Sequence, residues 1–190
     1  MQIPIVVLMA LPFCLYGDTT GTCAKPFEAP VSPGHELTMS LRSGDFNIVG
    51  SDASAIRVFC VVVDDDDSRD IKISFAAGRL TIRGGSDRGL HFRVEVPRSM
   101  NLLVRCSAGN VTISGITGDK DVSLNAGNLI IDVGDPRTYR RAEASVLAGD
   151  LTASAFGQLH GGLFRSFQHD NPAGRYRLRA QLLTGDLILK

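Results

Sequence analysis

Three groups of residues in this 190-residue chain have types and spacing that could do chemistry. The first is Asp64-Asp65-Asp66-Asp67. Four carboxylates in a row suggest a hard cation such as calcium, which takes oxygen ligands. The run matches neither an EF-hand loop nor a Gly-Gly-x-Gly-x-Asp β-roll. It follows the apolar run 56–63, so we read it as a solvated turn whose charges guard the end of a sticky strand. The second group is Arg175, Arg177 and Arg179, alternating with Tyr176, Leu178, Ala180 and Leu182. Period two puts the arginines on one strand face as a candidate anion-binding stripe for lipid headgroups, phosphate polymers or acidic sugars. The plainer reading is a solvated strand face.

The third group is the cysteines and histidines. Cys14, Cys23, Cys60 and Cys106 form no C-x-x-C pair, so neither a zinc knuckle nor a thioredoxin-type site is supported. Cys60 and Cys106 sit in apolar runs and read as core cysteines on strands. A disulfide between these two stays open for an exported chain, because connectivity is not written in sequence. His35, His91, His160 and His169 are scattered. No Ser-His-Asp order is visible, and Asp45, Asp119, Asp150 and Asp186 fall in turns instead of pairing across a cleft. The reading assigns no catalytic residue, no cofactor and no metal site. A polysaccharide-active β-helix enzyme is the weaker alternative.

Bulk properties narrow the partners. Lys plus Arg number 20 and Asp plus Glu number 20, so a polyanion binder working through net charge is not indicated, and nucleic acid is not an expected partner. Aromatics make up 6% of residues and Trp is absent, which argues against a binding face built on Trp and Tyr.

The elements that must position these residues come from one phrase: a small residue, Gly, a polar residue, then apolar-x-apolar. It occurs as Ser43-Gly44-Asp45-Phe46-Asn47-Ile48, Ala77-Gly78-Arg79-Leu80-Thr81-Ile82 and Ala108-Gly109-Asn110-Val111-Thr112-Ile113. It returns as Ala126-Gly127-Asn128-Leu129-Ile130-Ile131, Ala148-Gly149-Asp150-Leu151-Thr152-Ala153 and Thr184-Gly185-Asp186-Leu187-Ile188-Leu189. Gly reaches positive φ without a Cβ penalty, and Asp or Asn tolerate turns, so each copy is a turn feeding a short half-buried strand. The shorter spacings, about 20 residues, suit one coil of a repeat. The expected fold is all-β, a single β-solenoid in which Gly118-Asp119 is a half-copy. The alternative is a β-sandwich whose hairpins use Gly-Asp turns.

Along the chain, residues 1–17 are nearly all apolar, too short to span a bilayer as a helix, and read as a signal peptide without the usual basic start. Phe13 is too large for the position ahead of a lipid-modified Cys14. Residues 18–34, rich in Thr and Pro, read as an extended linker, and 35–190 as the β-domain. The run 56–63 is expected to be buried on both faces or paired centrally.

The run Val94-Glu95-Val96-Pro97, the strand 102–113, Gly115-Ile116-Thr117-Gly118-Asp119, the stretch 122–131 and the closing Leu183-Thr184-Gly185-Asp186-Leu187-Ile188-Leu189 together resemble the bacterial putative-adhesin family. The likeness covers about residues 37–190, with the Gly-rich basic segment 157–174 departing from the pattern. It implies an exported or membrane-linked β-solenoid-like domain and carries no site residues. The expected function is a non-catalytic, extracytoplasmic scaffold or adhesion module that contacts a protein or envelope component. Self-association through solenoid ends or edges is a further expectation. A regulatory accessory that binds a membrane component or a partner protein through the arginine stripe is the second reading.

Overall fold

A computed structural model describes residues 18–32, 34–62, 70–84, 89–160 and 165–190. The leader reading of 1–17 and the Asp64–Asp67 turn lie outside the described residues.

Two nine-stranded mixed sheets enclose one core. The first runs β1 (Thr19–Thr22), β6 (Lys72–Ala76), β7 (Arg79–Arg83), β3 (Glu36–Ser43), β9 (Asn101–Ala108), β11 (Lys120–Ala126), β17 (Tyr176–Thr184), β13 (Tyr139–Ala148) and β16 (Arg165–Asp170). The second runs β15 (Gln158–His160), β14 (Leu151–Ala153), β18 (Leu187–Leu189), β12 (Leu129–Ile131), β10 (Val111–Ser114), β4 (Asp45–Ser51), β8 (Leu90–Pro97), β5 (Ala55–Val62) and β2 (Phe27–Pro30). Strict alternation explains why both sheets hide one face. In β3, for example, Leu37, Met39 and Leu41 are buried while the residues between them are not.

This arrangement corrects the solenoid expectation to the β-sandwich. A solenoid stacks its coils in chain order. Here β17 inserts between β11 and β13, and antiparallel strands flank the parallel centre of both sheets: β6 and β16 in one, β5 and β15 in the other.

Five of the six phrases do one job. At Gly44, Gly109, Gly127, Gly149 and Gly185 the chain leaves a strand of the first sheet and enters one of the second. The apolar-x-apolar tail then supplies the inward pair on the second sheet, such as Val111 with Ile113 and Leu129 with Ile131. Neighbouring turns stack so tightly that a side chain has no room. A Cβ on Gly127, at φ +125°, would lie 1.8 Å from the Gly109 carbonyl oxygen. The polar residue after each glycine ties the stack together: Asn110 Nδ2 donates to Asp45 Oδ1 at 2.7 Å, and Asn128 Nδ2 donates to Asn110 Oδ1 at 3.0 Å. The sixth phrase differs. Ala77 and Gly78, at φ 48° and 74°, make a two-residue hairpin between β6 and β7, a turn that needs positive φ twice. Gly118-Asp119 joins β10 to β11 and lies outside the stack.

Three further expectations change. The segment 18–34 contributes β1 and β2 to the edges of the sheets, so it belongs to the fold. Cys60 is bonded to Cys23, with Cα atoms 5.4 Å apart, and not to Cys106. The run 56–63 is not buried on both faces: Ile56 and Val58 are buried, but Val61 is 62% exposed, because β5 pairs near the edge of its sheet and covers only one side.

Candidate functional site

The alternation in β17 places Arg177 and Arg179 on the outer face of the first sheet, with Leu178 and Ala180 turned into the core. What they meet there is set by strand order. Register puts Arg177 beside Arg141, with Asp170 beyond, and on its other side lies Asp119, the residue ahead of β11. One step along, Arg179 lies between Asp121 and Glu143. The result is a patterned surface and not a cationic stripe. A concavity of about 730 Å³ on this face is lined by five acids, including Asp119, Asp121 and Glu143, and by five bases, including Arg141, Arg177 and Arg179.

Some of these charges are paired within the face. Arg105 Nη1 reaches Asp121 Oδ1 at 2.8 Å, and Arg141 Nη2 reaches Glu143 Oε1 at 2.6 Å and lies 3.9 Å from Asp170 through Nη1. The Glu143 carboxylate raises the already high pKa of Arg141. Among the ion pairs of the described residues, Arg177, Arg179, Asp119 and Glu36 do not take part. Asp119 instead accepts the Arg177 backbone N–H at 2.8 Å. Arg175 is set apart: it precedes β17, and its guanidinium lies 5.5 Å from the Tyr176 ring centroid as a cation–π contact. Further along the same strands, Leu147 and Leu183 are 46% and 50% exposed.

Directly beneath this face sits Lys120, which the sequence reading passed over. It shares the core parity of Val122 and Leu124 on β11 and is 1% exposed. Its Nζ donates to the carbonyls of Ile116 at 2.8 Å and Gly118 at 3.4 Å, and contacts Tyr139 Oη at 2.5 Å. Burial pulls its pKa down to about 8, against the weaker opposing pull of Asp119 and Asp132. Burial likewise holds the Tyr139 phenol well above its ordinary value. A lysine on the inward parity of a strand was the available signal. It ties the 116–120 corner to β13 and is sealed from solvent, so it acts as a structural cross-link and not as a nucleophile.

The other candidates of the sequence stand apart. His91 Nδ1 lies 3.2 Å from Asp45 Oδ2, His35 contacts the Ser32 carbonyl, and His169 packs on the Phe156 ring. His160 is on β15. Cys106 is buried, and burial pushes its thiol up to about 11, which leaves it unreactive. Among the described residues, no three His, Cys, Asp or Glu side chains gather into a group that could hold a metal ion.

The chain matches no protein-family model and no curated protein sequence. Its fold is similar to the crystal structure of a putative cell adhesion protein from Clostridium sporogenes, with a TM-score of 0.54 at 13% identity, covering 87% of this chain and 98% of that one. A putative adhesin from Bacteroides fragilis aligns over 87% of this chain and 96% of its own at 8% identity, but its TM-score of 0.27 supports no structural argument.

Proposed function

We propose that this protein is a non-catalytic, extracytoplasmic interaction domain that works as an adhesion or envelope-contact module. The observation that carries the reading is the outer face of the first sheet. A parallel sheet usually hides both faces under helices. Among the described residues, five central parallel strands leave one face uncovered, backed by the core and carrying five acids, four arginines and two exposed leucines. Charges of both signs beside exposed leucines suit contact with a partner of complementary charge pattern. The Cys23–Cys60 bond supports an oxidising compartment, where disulfides form and persist. The Clostridium neighbour carries a cell-adhesion name on the same fold, which is an argument by analogy only.

The test is binding of purified protein to envelope fractions of the source cell. The double variant Arg177→Ser and Arg179→Ser is expected to weaken binding about tenfold or more, as loss of central charged contacts does. A control on the other sheet, Asn47→Lys, is expected to bind as the parent does. Equal binding by all three proteins would overturn the assignment to this face. Peptide mapping under non-reducing conditions, after cell fractionation, tests the compartment: the expected product lies outside the cytoplasm with its Cys23 and Cys60 peptides linked.

A further inference from the structure

The same outer face is self-complementary, and we infer that it pairs with a second copy of this chain. This rests on the reading of that face as the contact surface and goes further by naming what covers it.

On β11 Asp121 lies level with Arg179 of β17, the next strand, and Asp119, the residue ahead of β11, accepts the backbone N–H of Arg177 at 2.8 Å, so an acidic column stands beside a basic one. Neither arginine side chain takes part in an ion pair among the described residues, although each carries a full charge. Consider two copies placed face to face. A two-fold axis in the interface acts on each face as a reflection. An axis across the strands would set Asp119 against Asp121 and Arg177 against Arg179, which repels. An axis along the strands, between β11 and β17, exchanges the two columns. It sets Asp119 opposite the Arg177 of the second copy and Asp121 opposite its Arg179. Each contact occurs twice, so the interface gains four ion pairs.

The surrounding residues tolerate this placement. Ser123 faces Gln181, polar against polar, and Leu183 faces Asn125. The one like-charge meeting, Glu36 with Asp170, falls at the two outer columns, where solvent screens it and Arg141 already lies 3.9 Å from Asp170. An axis along the strands also leaves the facing sheets aligned, one of the two established packings of sheet on sheet. Covering the face removes Leu147 and Leu183 from water. A free anion would satisfy Arg177 and Arg179 but would be repelled by Asp119, Asp121 and Glu143 beside them.

The experiment is sedimentation velocity on the purified disulfide-bonded protein across concentration. The wild type is expected to form dimers that weaken as salt rises. Two variants reverse the two sides of one facing pair: Arg179→Glu and Asp121→Arg. Each alone is expected to stay monomeric at concentrations where the wild type is dimeric, with unchanged circular dichroism. Mixed in equal amounts, the two are expected to form a heterodimer, because each reversed charge then meets its opposite and the Asp119–Arg177 contacts are kept. A wild type that stays monomeric, dimers that ignore both reversals, or no rescue on mixing would overturn the proposal. Such a result leaves the envelope-contact reading standing, since that one is decided by binding to cell fractions.

Discussion

Lys120 offers the sharpest test of how the core is built. Its folded pKa of about 8 lies below the ordinary 10.5 because the ammonium is buried. The unfolded chain therefore holds this proton between pH 8 and 10.5, where the folded chain has released it. By linkage, stability contributed by Lys120 rises with pH through that window, and a shift of this size is worth about 3 kcal/mol. Two other buried groups oppose it. Cys106, raised to about 11, and Tyr139, also raised, stay neutral in the folded state while the unfolded thiol and phenol ionise, so each removes stability as pH climbs past its ordinary value. Wild-type stability should thus increase from pH 8 to about 9 and then level off. The clean quantity is the difference between wild type and Lys120→Met, because Cys106 and Tyr139 titrate in both. Urea denaturation at half-unit steps from pH 7 to 10.5 measures it. The difference is expected to move in favour of the wild type by about 3 kcal/mol across the window. At pH 7 the variant gains by shedding a buried charge and loses by leaving Tyr139 Oη and two carbonyls without their donor, effects of similar size. A difference curve flat from pH 8 to 10.5 would refute the claim that this ammonium pays a desolvation penalty in the fold.

Two further outcomes concern the scaffold. Gly127→Ala forces a Cβ against the Gly109 carbonyl, at 1.8 Å, so a loss above about 3 kcal/mol is expected in thermal unfolding. Gly134→Ala, at φ +69° with no atom within 4 Å of the added Cβ, should cost only about 1 kcal/mol. Similar losses for both would mean that backbone conformation, not turn stacking, sets the demand for glycine. Replacing Cys23 and Cys60 together by Ala removes a link across a sequence separation of 37 residues, and chain entropy puts the cost at about 4 kcal/mol. The denaturation midpoint of the wild type should fall to that of the variant when reductant is added. A reductant effect on the variant itself would assign the loss elsewhere.

The alternation of apolar residues marked the central strands and their inward faces in the sequence, because period two is a local property of extended backbone, while the short edge strands β1 and β2 fell in a segment that reads as a linker. The recurrent Gly-Asp and Gly-Asn pairs marked the five corners between sheets, and the arginines of β17 were legible as one outward row. The order of strands was not legible. Nothing near β17 in the chain says that it lies between β11 and β13, because that choice depends on how the whole set of apolar faces closes over one core. The same placement turned an arginine stripe into a mixed-charge face, since the acids Asp119 and Asp121 beside Arg177 and Arg179 each lie 58 residues away in sequence. The Cys23–Cys60 bond likewise awaited the packing of the segment between β1 and β2 against β5. Local chemistry writes the elements of this protein, and long-range packing alone decides which charges face one another.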